Sequence, residues 1–119
     1  MKKIIVIGGG AMGSAFTVPC LDNNNKVIIT EPYSKRFIKD LSSKKKFHSA
    51  LKMNLSTKLE FRKFSKDLLK EKFDLVILYG VIGCFTVDNQ EIIIDKIAKL
   101  LNVGGVLWIG ANIYTDSSY

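Results

Sequence analysis

Four glycines and one acid are the residues whose types and spacing could do chemistry. Gly8, Gly10 and Gly13 form G-x-G-x-x-G, Gly9 adds a fourth glycine, and Glu31 follows at about the distance, roughly 20 residues, at which an acid serves such a motif. Gly8 would allow a tight turn, Gly10 would let a pyrophosphate approach the backbone, and Gly13 would let a helix pack closely on a sheet. The N–H groups opening that helix, near Ala11 and Met12, would face the phosphates with the positive end of the helix dipole behind them. Glu31 would accept hydrogen bonds from adenosine ribose hydroxyls. The expected ligand is a dinucleotide. The alternative is a glycine-rich turn that merely packs a strand–helix–strand unit.

Other chemistry is sparse. His48 is the only histidine and reads as a surface or packing residue rather than a catalytic one. Cys20 and Cys84 lie far apart with no C-x-x-C, which suggests neither a metal site nor a disulfide framework and points to a reducing compartment. No catalytic residue can be named, and no metal is expected.

The elements that must position the glycines and Glu31 follow from apolar periodicity. Residues 3–7 read as a buried parallel strand and 11–22 as a helix with Ala15, Phe16, Val18 and Leu21 inward. Pro19 should kink or shorten that helix. Asp22 to Asn25 form a turn with asparagines suited to a left-handed cap. Residues 26–30 form a second strand, which Pro32 stops after Glu31. Ser34 can cap a helix over about 35–43 with Phe37, Ile38 and Leu41 buried. A loop with short extended pieces is expected over 44–57, a third strand over 58–64 and a short helix over 65–72. Phe73 to Tyr79 is a fourth strand, and the Gly80–Gly83 loop at its carboxyl end should lie beside the cofactor. A helix over 87–101, a turn at Asn102–Gly105, a strand over 106–109 and a polar tail complete the chain. This alternation requires a Rossmann-type doubly wound sheet, mostly parallel, of about five strands.

The chain of 119 residues suits one dinucleotide-binding domain, and 47% hydrophobic residues suffice for a core. Net charge is +7, with the basic excess crowded between Lys35 and Lys72. That run reads as a solvated lysine-rich face or as a surface attracting phosphates. No zinc spacing, aromatic stacking motif or basic recognition helix points to nucleic acid. No signal peptide or membrane-span pattern is present, so a cytoplasmic protein is expected.

The segment GGGAMGSAFTVPCLDNNNKV, residues 8–27, resembles the amino-terminal segment of NAD(P)-dependent glycerol-3-phosphate dehydrogenases, especially the archaeal-type branch. That resemblance accounts for Pro19 and the Asp22-Asn23 turn, and FDLVILYGV, residues 73–81, resembles the family's fourth strand. It implies cofactor contacts at Gly8, Gly10, Ala11, Met12, Gly13, Glu31, Gly80 and Val81, and Gly9 of the glycine cluster is expected to join them. The family carries a lysine in an S-K-G-like stretch after its fifth strand and another in a helical domain. Here Gly110-Ala111-Asn112 stands at the first place and no lysine follows Lys99 in the 119 residues, so a single domain without the helical substrate domain is expected. The resemblance therefore implies an NAD-binding oxidoreductase domain not catalytically complete alone, its phosphorylated small-molecule substrate met through a missing domain or partner chain. NADP is possible if Lys35 and Arg36 hold a 2′-phosphate. Two alternatives stand beside it. One is a stand-alone nucleotide-binding regulatory or subunit module. The other is an S-adenosylmethionine-dependent domain, because KIAKLLNVGGVLWIGAN is similar to the helix–turn–strand of class I methyltransferases.

Overall fold

Near-continuous apolar runs such as IIVI and FDLVILY must be buried on both faces, which a parallel sheet flanked by helices achieves. The structure, a computed structural model, describes residues 1–80 and 87–110. Its elements in order are β1 (Lys3–Ile7), α1 (Ala11–Asp22), β2 (Lys26–Thr30), α2 (Lys35–Ser42), β3 (Phe47–His48), β4 (Met53–Asn54), β5 (Glu60–Phe61), a 3₁₀ turn (Leu68–Lys70), β6 (Phe73–Tyr79), α3 (Val87–Ala98) and β7 (Leu101–Gly110). Five strands form one sheet in the order β5-β2-β1-β6-β7, and every neighbouring pair is parallel. The expected Rossmann-type architecture is therefore present. The chain starts at the centre, winds outward to β5, then returns to β6 beside β1. Strand order reverses between β1 and β6, where the carboxyl ends of open α/β sheets leave a crevice for ligands.

Two apolar cores cover the sheet. Ile5, Ile7, Ile28, Val76 and Leu78 pack with Leu68, Ile97 and Leu100 on the α3 face. Ile4, Val6, Val27, Ile29 and Ile77 pack with Leu41, Leu55 and Leu59 on the other face, where Phe16 and Leu21 of α1 close the edge. The alternation of the pleat assigns these strand residues to their sides; Phe73, at the register shift that opens β6, joins the α3 face.

Helix α1 departs from its expected form. It runs unbroken through Pro19 to Asp22, and Pro19 is exposed, so its ring faces solvent rather than the core. The fully buried stripe is Gly13, Ser14 and Thr17, while Val18 is exposed and Ala15 only half-buried. The helix is rotated so that its smallest side chains meet the sheet, and apolarity alone misplaces that face. The turn after it behaves as expected, with Asn24 in the left-handed region at φ 61°. Ser34 caps α2, its Oγ accepting from the Phe37 N–H at 3.3 Å.

Three later segments are shorter or displaced. The expected strand over 58–64 shrinks to Glu60–Phe61 at the sheet edge: Leu59 is fully buried and Phe61 partly buried against the core, while Phe64 stays exposed. The expected helix over 65–72 is only the 3₁₀ turn, with one fully buried anchor, Leu68, too few to nucleate an α-helix. Helix α3 ends at Ala98 rather than 101, since Leu101 already pairs with Phe73. The next ladder partner of β6 is Val106 opposite Leu75, so Asn102–Gly105 bulge out between two paired stretches of β7. The 44–57 region forms the small antiparallel β3–β4 hairpin, in line with short extended pieces. Val81, Cys84, the rest of the Gly80–Gly83 loop and the tail from Ala111 lie outside the described residues.

Candidate functional site

The site grows from the end of β1. The Gly8 N–H donates to the Thr30 carbonyl at 2.9 Å, which carries the β1–β2 pairing one residue further. Gly8 then turns at φ 123°, a conformation that needs glycine. A Cβ on Gly13 would lie 1.9 Å from the Gly8 carbonyl oxygen, so the start of α1 rests directly on the turn. Gly10 is the N-cap of α1 without a side chain to cap it, and no acidic residue occupies the first turn. The unpaired N–H groups of a helix start are thus left for a ligand.

Gly9 is held at both of its peptide groups. Its N–H donates to Glu31 Oε1 at 2.8 Å. Its carbonyl accepts from Ser14 Oγ at 3.0 Å and lies 2.8 Å from His48 Nε2. The His48 roles follow from its other nitrogen: Nδ1 accepts from the N–H groups of Ala50 and Leu51 at 3.2 and 3.1 Å, so the proton is on Nε2 and is donated to Gly9. His48 is fully buried and its ring stacks on Phe37 with centroids 5.0 Å apart. The expected packing histidine is found, but its packing serves the glycine turn, which sequence reasoning missed. A 39-residue separation hides that contact, and only its status as the single histidine singles it out.

Glu31 does more than expected of a strand-end acid. Besides Gly9, it accepts from Tyr33 and Ser34 N–H groups at 2.8 and 3.0 Å through Oε2, and it is 8% exposed. A carboxylate has about four lone-pair positions, so three backbone donors leave one for a ligand hydroxyl.

These groups surround a cavity of about 380 Å³ at the switch point. Of the residues expected from sequence, Gly8, Gly10, Ala11, Met12, Gly13, Glu31 and Gly80 line it, Gly9 lies behind its wall, and Val81 is outside the described residues. Tyr33, Ser34, Phe37 and Tyr79 complete the lining. They follow β2 and end β6, positions that the switch-point rule could have flagged. Tyr79 stacks on Trp108, with centroids 6.1 Å apart and planes at 8°, and Phe16 meets Trp108 edge-on at 5.0 Å. This aromatic wall fixes one side.

Charge near the site is largely committed. Arg36 Nε donates to Ser49 Oγ at 2.6 Å, and its guanidinium lies over the Phe37 ring. Ser49 in turn donates from Oγ and N to Asp40 Oδ2, and these hydrogen bonds hold the Asp40 carboxyl below its usual range. Lys35 remains exposed. Burial pushes the free Cys20 thiol upward, the opposite of a reactive thiolate. Among the described residues no group of His, Cys, Asp and Glu could hold a metal ion, and no helix is long and apolar enough to cross a membrane.

No family model matches the chain, and no curated protein matches its sequence. Solved structures do resemble it. A protein assigned as a 2-dehydropantoate 2-reductase from Enterococcus faecalis shares 18% identity, with a TM-score of 0.58, over 92% of this chain and 33% of its own. D-mandelate dehydrogenase, in a ternary structure with NADH and anilino(oxo)acetate, shares 22% identity, with a TM-score of 0.59, over 98% of this chain and 35% of its own. PKMT2 from Rickettsia typhi, in complex with AdoHcy, shares 22% identity, with a TM-score of 0.59, over 89% of this chain and 20% of its own. The chain spans about a third or less of these proteins' lengths. At such identities the likeness concerns the fold, a Rossmann-like domain shared by structures that hold NADH and AdoHcy alike.

Proposed function

We propose that the chain is an NAD-binding domain of an oxidoreductase resembling glycerol-3-phosphate dehydrogenases. The observation that carries the reading is the seat of Gly13 on the Gly8 carbonyl. It brings an uncapped helix N-terminus against the glycine turn, where a pyrophosphate is best held. In this reading the phosphates meet the N–H groups of Gly10 to Gly13, the adenosine ribose meets Glu31, and the nicotinamide half extends past Gly80 and Val81. NAD is favoured over NADP. A 2′-phosphate would press against the Glu31 carboxylate, and Arg36, the nearest guanidinium in sequence, is already engaged with Ser49.

Hydride transfer also needs a substrate carbon held against the ring and a group that takes the alcohol proton. Among the described residues lining the cavity there is no histidine, cysteine, lysine or arginine. We therefore assign substrate binding, with a phosphorylated small molecule as the expected class, to a further domain or partner chain. The exposed basic run between Lys35 and Lys72 is read as a solvated face. A cytoplasmic setting fits the unpaired Cys20.

A second reading, S-adenosylmethionine binding, is favoured by one observation: an acid at the end of β2 also suits that ligand's ribose, and the fold is shared with PKMT2 in complex with AdoHcy and with a coclaurine N-methyltransferase bound to SAH. Calorimetric titration with NADH, NADPH and S-adenosylmethionine in parallel separates the two. Binding of NADH, tighter than NADPH, supports the proposal. Binding of S-adenosylmethionine alone overturns it.

A further inference from the structure

We infer that His48 is a positioning residue that turns the Gly10 N–H into an anion donor. The argument rests on the geometry of one peptide group. The Gly9 carbonyl is gripped by two donors, His48 Nε2–H at 2.8 Å and Ser14 Oγ–H at 3.0 Å. A trans peptide is planar, and its C=O and N–H point in opposite directions. Fixing the Gly9 carbonyl toward the buried His48 therefore aims the Gly10 N–H the other way, and Gly10 lines the cavity.

Glycine-rich turns are permissive, and rotation of this peptide plane would be cheap without such a grip. Rotated, the plane would present a carbonyl oxygen where phosphate charge must sit. Donor and acceptor would be exchanged at the most sensitive point of the site. His48 is well made to prevent this. Its Nδ1 is occupied by the N–H groups of Ala50 and Leu51, which fixes the tautomer and aims Nε2–H at Gly9. Stacking on Phe37 fixes the ring plane. The hairpin β3–β4, otherwise a surface excursion, thereby sends one side chain into the glycine turn.

This inference builds on the dinucleotide reading but can be tested apart from it. Two variants isolate the Gly9 contact. In His48→Asn the amide oxygen can still accept from the Ala50 and Leu51 N–H groups as an Asx turn, but no donor reaches Gly9. In His48→Gln the terminal NH₂ reaches about where Nε2 stood. The probes are NADH, adenosine and inorganic pyrophosphate, with binding followed by calorimetry and by the Gly10 amide resonance in ¹⁵N-labelled protein.

His48→Asn is expected to weaken NADH binding by roughly tenfold, the effect of losing one well-placed hydrogen bond. Adenosine, which does not reach the turn, should keep its affinity within about twofold, and His48→Gln should restore most of the NADH affinity. NADH binding unchanged in His48→Asn, or adenosine weakened as much as NADH, overturns the inference. If wild type ignores NADH but pyrophosphate shifts the Gly10 resonance, and only His48→Asn abolishes that shift, the dinucleotide reading fails and the role of His48 stands. If wild type responds to neither NADH nor pyrophosphate, both fail.

Discussion

Glu31→Gln is the most informative single substitution, because it alters one atom's chemistry at a group with three backbone partners. Oε1 accepts from Gly9 and Oε2 accepts from Tyr33 and Ser34, all within 3.0 Å. A glutamine must turn its NH₂ toward one of these sets. The better orientation keeps the carbonyl oxygen on Tyr33 and Ser34 and sets the NH₂ against the Gly9 N–H, donor against donor. One charge-assisted bond is lost, a buried N–H is left without an acceptor, and two bonds weaken to neutral ones. Together these amount to about 2–3 kcal/mol. For a chain of 119 residues that corresponds to a fall in Tm of roughly 8–12 °C. Thermal and urea unfolding measure it directly. The same change should weaken NADH binding about tenfold or more, since the Gly9 peptide is released and the ribose acceptor is altered. A Tm within about 1 °C of wild type would refute the reasoning, because it would mean that the three N–H contacts stabilise nothing.

Three further outcomes are expected. Gly13→Ala should destabilise rather than stabilise, despite the better helix propensity of alanine. Its Cβ would lie 1.9 Å from the Gly8 oxygen where ordinary contact begins at 3.4 Å, so α1 must retreat from the turn, at a cost of about 1–3 kcal/mol seen in urea unfolding together with lost NADH binding. Thr30→Val should raise stability, by up to about 1 kcal/mol, because the fully buried Thr30 hydroxyl has no hydrogen-bond partner among the described residues; unfolding of the isosteric variant measures it. On the acid side, Glu71 is held below its ordinary value of 4.5 chiefly by the hydrogen bond from Lys3, and then by Arg62. A carboxyl with a lowered folded pKa contributes fully above its unfolded value and loses that contribution as pH falls from there through the folded one. Tm should therefore drop below about pH 4.5, and Glu71→Gln should flatten that drop in a pH series of melting curves.

The sheet, the glycine turn and Glu31 were legible because each rests on a local rule. Apolar runs mark buried strands, G-x-G-x-x-G between a strand and a helix marks the turn, and Pro32 marks the strand end. What was not legible depends on contacts far apart in sequence. The buried face of α1 is set by the approach of Gly13 to Gly8, so small residues replace the expected Ala15 and Val18. The boundary between α3 and β7 falls inside KLLN, where apolar residues suit either element, and Phe73 pairing with Leu101 decides it. The alternation over 58–64 suggested a full strand, yet an edge position supports only two paired residues. His48 could be recognised as a packing residue but not assigned its partner, because nothing near it in sequence mentions Gly9.

The two margins of the sheet are unequal, and this bears on how the protein behaves in concentrated solution. At β5 the pairing edge is two residues long and flanked by Lys58, Arg62 and Lys63, the charges that keep a strand from recruiting a stranger. At β7 the margin spans Leu101 to Gly110, LNVGGVLWIG, without a charge or a proline, and among the described residues it pairs on one side only. Val106, Trp108 and Ile109 are 57%, 42% and 40% exposed along it. Such a strand is a template for intermolecular β-pairing. Its glycine-bearing bulge interrupts the ladder and provides the main built-in brake. Among the described residues, β7 is thus the sheet margin without a charge of its own, and Lys58, Arg62 and Lys63 flank the other margin.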